Sequence, residues 1–175
     1  MTDDEILSHL GKIEIREGKE RKIKSYVLRN NVLTDKEKET VLRYMPRYGF
    51  FFEDKPLDLS SIFPTERPVV VEIGFGMGDS LHEIALRRPD CNYIGIEVFL
   101  QGFVKLLKRI GDDDMDNVRI TRFDAVEVLE HMIPDGSIEG FHIFFPDPWP
   151  KKRHHKRRLM QLPFIHLLAT KLRQG

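Results

Sequence analysis

The chain has 175 residues, enough for one domain with a buried core and too few for two full domains. Its 41% hydrophobic and 32% charged residues are typical of a globular protein and exclude a disordered or fibrous one. Basic and acidic residues each number 28, so the formal net charge is zero. Taken alone, this balance argues against a nucleic-acid partner.

The charges are unevenly distributed along the chain. All 28 acidic residues lie at or before Asp147 together with 20 basic residues, whereas Pro148 to Gly175 contains 8 basic residues and no acidic one. The net charge of zero is therefore the sum of an acidic portion of −8 and a basic portion of +8.

Other compositional features point to a cytoplasmic protein. The single cysteine, Cys91, excludes an intrachain disulfide. The N-terminal sequence lacks the pattern of a signal peptide, and no apolar stretch approaches the ~20 residues that span a membrane. We therefore expect no membrane partner. The scattered histidines have no metal-ligand spacing, so we also expect no bound metal.

The segment 1–67 predicts an arm, a helix and a connector. Residues 1–33 are polar and contain a loose basic arm, and Thr34-Asp35-Lys36-Glu37 is a capping box that predicts a helix to about Arg43. Pro46 and Gly49 are expected to end this helix. Residues 50–67 have the prolines of a connector.

From residue 68 to 175, short β-branched runs alternate with helical patterns. The predicted strands are Val69–Ile73, Tyr93–Val98, Val118–Phe123 and Ile138–Phe145, the last interrupted by Gly140. The predicted helices are Asp79–Arg88, Leu100–Ile110, a short one after Asp124, and Leu159–Leu172. This alternation predicts an α/β fold, a mainly parallel sheet in the order 3-2-1-4 with flanking helices. Ligands of such sheets bind beyond the carboxyl ends of the strands.

The first predicted strand ends in Glu72-Ile73-Gly74-Phe75-Gly76-Met77-Gly78. Glycines allow a sharp turn and close approach of a ligand, but G-x-G-x-G is not the spacing of a dinucleotide site, which argues against an NAD-dependent dehydrogenase. An acidic residue before the glycines suits a cationic ligand such as S-adenosylmethionine. The alternative is a glycine-rich turn that binds nothing.

The next two strand ends also carry carboxylates. The interval from Gly78 to Glu97 is close to the ~20 residues typical of a carboxylate that accepts hydrogen bonds from ribose hydroxyls; alternatively Glu97 faces solvent. Asp124 is predicted to cap the following helix, to accept a hydrogen bond from the adenine amino group, or both.

The fourth strand leads into Phe145-Pro146-Asp147-Pro148-Trp149-Pro150. The alternating prolines restrict the backbone and would hold Asp147 on a stiff loop as a candidate catalytic residue, unless the segment is only a rigid turn. A run of basic residues follows at once, and phosphate neutralisation is its natural explanation. The alternative is a solvated surface run. Its residues are Lys151, Lys152, Arg153, His154, His155, Lys156, Arg157 and Arg158.

These motifs, in this order, closely resemble the bacterial tRNA (guanine-N7)-methyltransferase family. The resemblance covers about residues 20–175, and F-P-D-P-W with its basic tail is its most specific part. It implies a Rossmann-like class I methyltransferase fold with an S-adenosylmethionine-binding domain at 68–175. It also implies transfer of a methyl group to N7 of the variable-loop guanosine at tRNA position 46.

The resemblance also assigns roles to individual residues. The residues expected to bind the cofactor are Glu72, Gly74, Gly76, Gly78, Glu97, Asp124 and Asp147. Asp147 is also the expected catalytic residue. Lys151, Arg153, His154, His155, Lys156, Arg157 and Arg158 are expected to bind the tRNA.

Members of this family continue past the position that corresponds to Gly175, so we expect the last strands of the fold to be missing here. A monomer or a homodimer is expected. Two alternatives remain open: another S-adenosylmethionine-dependent RNA methyltransferase, and a truncated RNA-binding fragment without activity.

Overall fold

A computed structural model of the chain describes residues 1–11, 32–144, 152 and 158–174. Within these ranges four parallel strands form one sheet in the order β3-β2-β1-β4. The strands are β1 (Val69–Ile73), β2 (Asn92–Ile96), β3 (Val118–Thr121) and β4 (Gly140–Ile143). The predicted strand order is therefore confirmed.

The start of β4 differs from the prediction. Ile138 lies outside the strand and forms an isolated parallel bridge with Leu172. Its N–H donates to Lys171 O at 2.9 Å, and its carbonyl accepts from Arg173 N at 2.8 Å. Because these bonds already occupy the backbone of Ile138, pairing with β1 begins at Gly140, which opens the strand rather than interrupting it.

The chain opens with a helix that was not predicted from the sequence, α1 (Asp3–Gly11). It begins with a reciprocal cap in which Thr2 N donates to Glu5 Oε2 at 2.7 Å and Glu5 N donates to Thr2 Oγ1 at 3.3 Å. Ile6 and Leu10, one turn apart, are buried. The sequence of residues 1–33 is polar overall, but two well-spaced apolar side chains are enough to dock a short helix.

The next helix, α2 (Asp35–Tyr48), has the predicted capping box but continues past Arg43 and through Pro46. Proline removes one hydrogen-bond donor from the ladder. Packing compensates for this loss, since Met45 and Tyr48 are both 2% exposed. The helix ends where Gly49 N donates to Met45 O at 2.9 Å.

The remaining helices cover both faces of the sheet. They are α3 (Leu59–Ile62, within the predicted connector), α4 (Asp79–Arg87), α5 (Leu100–Asp112), α6 (Ala125–His131) and α7 (Leu162–Lys171). One apolar cluster joins α1, α2, α4 and α5 to one face, and a second joins α3, α6 and α7 to the other. Of the helices described, none is long and apolar enough to cross a membrane.

Candidate cofactor site

The candidate site lies at the carboxyl edge of the sheet, where β1 runs into the glycine loop, Gly74–Gly78. In the register of the sheet, Glu72 stands between Gly95 of β2 and His142 of β4. Central strands of a parallel sheet are flanked on both sides, so this position is enclosed except towards the edge. The sequence motif and the strand order together place Glu72 at the centre of the site.

The glycine loop has a backbone that other residues would adopt only under strain. Gly74, Gly76 and Gly78 have φ values of 69°, 57° and 77°. Gly78 N donates to Phe75 O at 2.8 Å, which closes a tight turn just before α4. Helix α5 packs directly against the backbone of the loop, because a Cβ on Gly102 would lie only 1.9 Å from Gly76 O.

Glu97 binds backbone N–H groups with both carboxylate oxygens. Its Oε2 accepts from Gly76 N at 2.6 Å, and its Oε1 accepts from Val98 N at 2.7 Å and from Phe99 N at 3.0 Å. A carboxylate has about four acceptor sites, so roughly one remains for a ligand. Glu97 therefore ties the glycine loop to the end of β2, and its predicted contact with both ribose hydroxyls stays a prediction.

Glu72 is the most enclosed carboxylate of the site. Its side chain is 2% exposed, and its Oε2 has no hydrogen-bond partner among the described residues. Burial raises the pKa of this carboxyl to about 7, because the charged form loses its hydration. A buried acceptor without a partner is costly, so the group is suited to a ligand that brings a donor or a positive charge.

A cavity of about 470 Å³ opens beside Glu72. This size is typical of small-molecule sites. It lies between the glycine loop, one side of α4 and the end of β4, and it is lined by Glu72, Gly74, Phe75, Gly76, Ser80, Glu83, Ile84, Arg87 and Phe144. Glu97 and Asp124 do not line it, so the cavity comprises only the part of the predicted site nearest β1 and β4.

Asp124 has the capping role that the sequence predicted. Its Oδ1 accepts from Val126 N at 2.9 Å and from Glu127 N at 3.4 Å at the start of α6. The cap uses only this oxygen in the bonds described. The other predicted role of Asp124, accepting a hydrogen bond from the adenine amino group, stays a prediction.

Several predicted residues lie outside the described part of the chain. They are Asp147, Lys151, Arg153, His154, His155, Lys156 and Arg157. Arg158 is described: it is partly buried shortly before α7, and its carbonyl accepts from Gln161 Nε2 at 2.6 Å.

His142 in β4 and Phe144, which directly follows it, were not predicted from the sequence as residues of the site. Both lie on the same face as Glu72, and their rings have centroids 5.6 Å apart. His142 Nδ1 is 3.6 Å from Glu72 Oε2. A polar residue inside an otherwise apolar strand was the available signal, but only the register of β4 against β1 shows which carboxylate it faces.

Comparison with known proteins first defines the class. The model of a family described as "Putative methyltransferase" matches residues 66–175. A solved structure of an antibiotic-related methyltransferase shares the fold, with a TM-score of 0.50 and 18% identity over 69% of this chain and 62% of that one. The fold is therefore that of a Rossmann-like methyltransferase, as the sequence predicted.

Closer relatives define the family. A tRNA (guanine-N(7)-)-methyltransferase from Methylobacillus flagellatus is 49% identical over 168 residues, which are 95% of this chain and 69% of the relative. One from Neisseria meningitidis is 47% identical over 90% of this chain and 66% of its own length, and one from Bordetella pertussis is 45% identical over 87% and 60%. The chain belongs to the tRNA (guanine-N(7)-)-methyltransferase family, and it spans about two thirds of the length of these curated relatives.

The predictions of family, fold class and enzyme class are thus confirmed, and with the family comes its cofactor, S-adenosylmethionine. The residues of the site fit that molecule. Glu72 presents an unpartnered buried oxygen for its cationic part, and the glycine loop leaves the cavity free of side chains at Gly74 and Gly76.

Proposed function

We propose that this chain carries the cofactor-binding part of an enzyme that methylates N7 of the variable-loop guanosine of tRNA. The observation that carries the proposal is Glu72, a buried carboxylate whose Oε2 accepts no hydrogen bond within the described structure, at the edge where ligands of parallel sheets bind. An anion held there attracts a cation, which fits a sulfonium cofactor better than a pyrophosphate.

When bound, S-adenosylmethionine supplies the methyl group and a sulfonium that leaves as a neutral thioether. Guanine N7 has an in-plane lone pair and carries no proton, so its attack on the methyl carbon needs no general base. The C–S bond breaks as the N–C bond forms, and the positive charge passes to the purine. Alignment of the two reactants is then the main task of the protein, and positioned reactants gain ~7–11 kcal/mol.

The described residues account for the binding side of this task. Glu72 provides negative charge near the cationic part of the cofactor, and Glu97 holds the glycine loop in place through Gly76 N. The loop itself contributes backbone rather than side chains to the cavity wall, which allows a close approach. In the sequence, Asp147 comes shortly after β4, and we assign it the stabilisation of the charge that develops on the base.

The tRNA would be held by the basic run from Lys151 to Arg158. A base in a variable loop can be turned out at lower cost than one in a helix. Replacement of Arg157 and Arg158 by Ala is expected to weaken tRNA binding and to flatten its dependence on salt. A cytoplasmic location and a monomeric or homodimeric state accompany this proposal.

The test is incubation of the chain with unmodified tRNA and methyl-labelled S-adenosylmethionine, followed by mass analysis of the nucleosides. N7-methylguanosine in the variable loop is the expected product. Another methylated nucleoside would assign a different RNA methyltransferase. Binding of tRNA without cofactor binding or methylation would instead identify an RNA-binding fragment.

A further inference from the structure

The imidazole of His142, on the adjoining strand, lies close to the buried carboxylate of Glu72. Glu72 and His142 occupy paired register positions of β1 and β4, and His142 Nδ1 lies 3.6 Å from Glu72 Oε2. Within the described structure neither atom has a hydrogen-bond partner. These two buried polar atoms therefore face each other without another hydrogen bond from the residues that the structure describes.

The distance between these atoms is slightly longer than a hydrogen bond. N–H···O bonds lie between about 2.7 and 3.2 Å, so a small rotation of the imidazole closes the gap. The ring has room for this movement because the His142 side chain is 31% exposed, whereas that of Glu72 is 2% exposed. The histidine is therefore the adjustable member of the pair.

Among the described residues, the other ionisable groups near the pair do not compete for Glu72. Tyr93 of β2 has its ring centroid 6.4 Å from that of His142, and burial raises the pKa of its hydroxyl to about 12, so it is neutral. Glu83 and Arg87 of α4 line the same cavity but form an ion pair with each other. Glu97, which follows β2, accepts hydrogen bonds from backbone N–H groups.

We infer that His142 is a positioning residue for Glu72: its Nδ1–H donates to the buried carboxylate and keeps it ionised and directed towards the cavity. This inference deepens the proposed function and rests on it where the cofactor is concerned. Burial lowers the pKa of His142, so near neutral pH its ring is uncharged and acts through its N–H. A hydrogen bond to the charged form of a carboxyl favours that form.

The first test needs no cofactor. The titration of Glu72 is followed by NMR in the chain labelled with carboxyl ¹³C-glutamate, with Glu72→Gln identifying the signal. His142→Leu is expected to raise the pKa of Glu72 by about one unit, and His142→Asn, whose amide can donate from a similar position, to restore it. The matched control is His166→Leu, which removes an exposed histidine of α7 and should leave the titration unchanged. An unchanged or lowered pKa in His142→Leu would overturn the inference.

The second test uses S-adenosylhomocysteine, which keeps the ammonium group and is stable at alkaline pH. The pKa of about 7 reflects burial without a bond from His142, so a bond that lowers it by about one unit raises the ionised fraction at pH 6 from about one tenth to about one half. We therefore expect His142→Leu to bind about fivefold more weakly than wild type at pH 6, and less than twofold more weakly at pH 9. A deficit that is equal at both pH values would contradict the inference. Failure of the wild type to bind at any pH would refute the proposed function but leave the first test decisive for His142.

Discussion

Replacement of Gly102 by alanine tests how the glycine loop is held. A Cβ at this position of α5 would lie 1.9 Å from Gly76 O and 2.8 Å from Gly76 C, whereas ordinary contacts are at least 3.4 Å. The obstacle is backbone, so the clash is relieved only if α5 and the loop move apart. We expect this separation to break the bond from Gly76 N to Glu97.

Two opposing effects decide the magnitude of this change. Alanine is favoured over glycine within a helix by about 1 kcal/mol. Overpacking of a rigid site costs about 1–3 kcal/mol and reaches the upper end when the neighbour is backbone. The clash wins, and we expect a net loss of about 2 kcal/mol in the free energy of unfolding, or a fall in Tm of roughly 5 °C for a chain of this size.

The assay combines thermal unfolding with titration of S-adenosylhomocysteine. We expect Gly102→Ala to lower both Tm and ligand affinity, the latter more than tenfold because the loop borders the cavity. Gly11→Ala is the matched control, since a Cβ there meets nothing within 4 Å. If Gly102→Ala matched this control in Tm and bound the ligand normally, the close packing of α5 on the loop would be refuted.

Three further predictions concern the carboxylates of the site. Burial raises the folded-state pKa of Glu72 from 4.5 to about 7, so the folded chain holds a proton that the unfolded chain releases. The free energy of unfolding of the wild type should therefore decrease by up to ~3 kcal/mol as the pH rises from about 5 to 7. Urea unfolding of Glu72→Gln should show no such decrease. Glu97→Ala removes the acceptor of three backbone N–H bonds and should lose about 2–4 kcal/mol by urea unfolding without any cofactor, whereas an equal stability to wild type would mark Glu97 as a ligand contact alone. Asp124→Ala removes the cap of α6 and should lower the free energy of unfolding, measured by thermal unfolding, by about 1 kcal/mol. Asp124→Asn keeps the cap and should unfold like wild type. Equal losses in the two variants would contradict the capping role.

Much of the fold was predictable because its signals are local. Thr34 and Glu37 indicated the start of α2, and the β-branched run at Val69–Ile73 indicated β1 in its full length. The errors have a shared cause in tertiary packing. Buried side chains carry α2 through Pro46, and bonds from Ile138 to the end of α7 delay the start of β4.

The sequence by itself determined the alternation of strands and helices, the glycine loop, and the carboxylates at the strand ends, because each depends on neighbours close by in the chain. The cap that Asp124 forms was also predictable, but only the tertiary structure decided what Glu72 and Glu97 contact. Glu97 bonds to Gly76 across the gap between β2 and the glycine loop, and Glu72 on β1 faces His142 on β4, with β2 and β3 between them in the chain. Such pairs depend on strand register and on the burial of both partners, and neither is contained in a local pattern of residues.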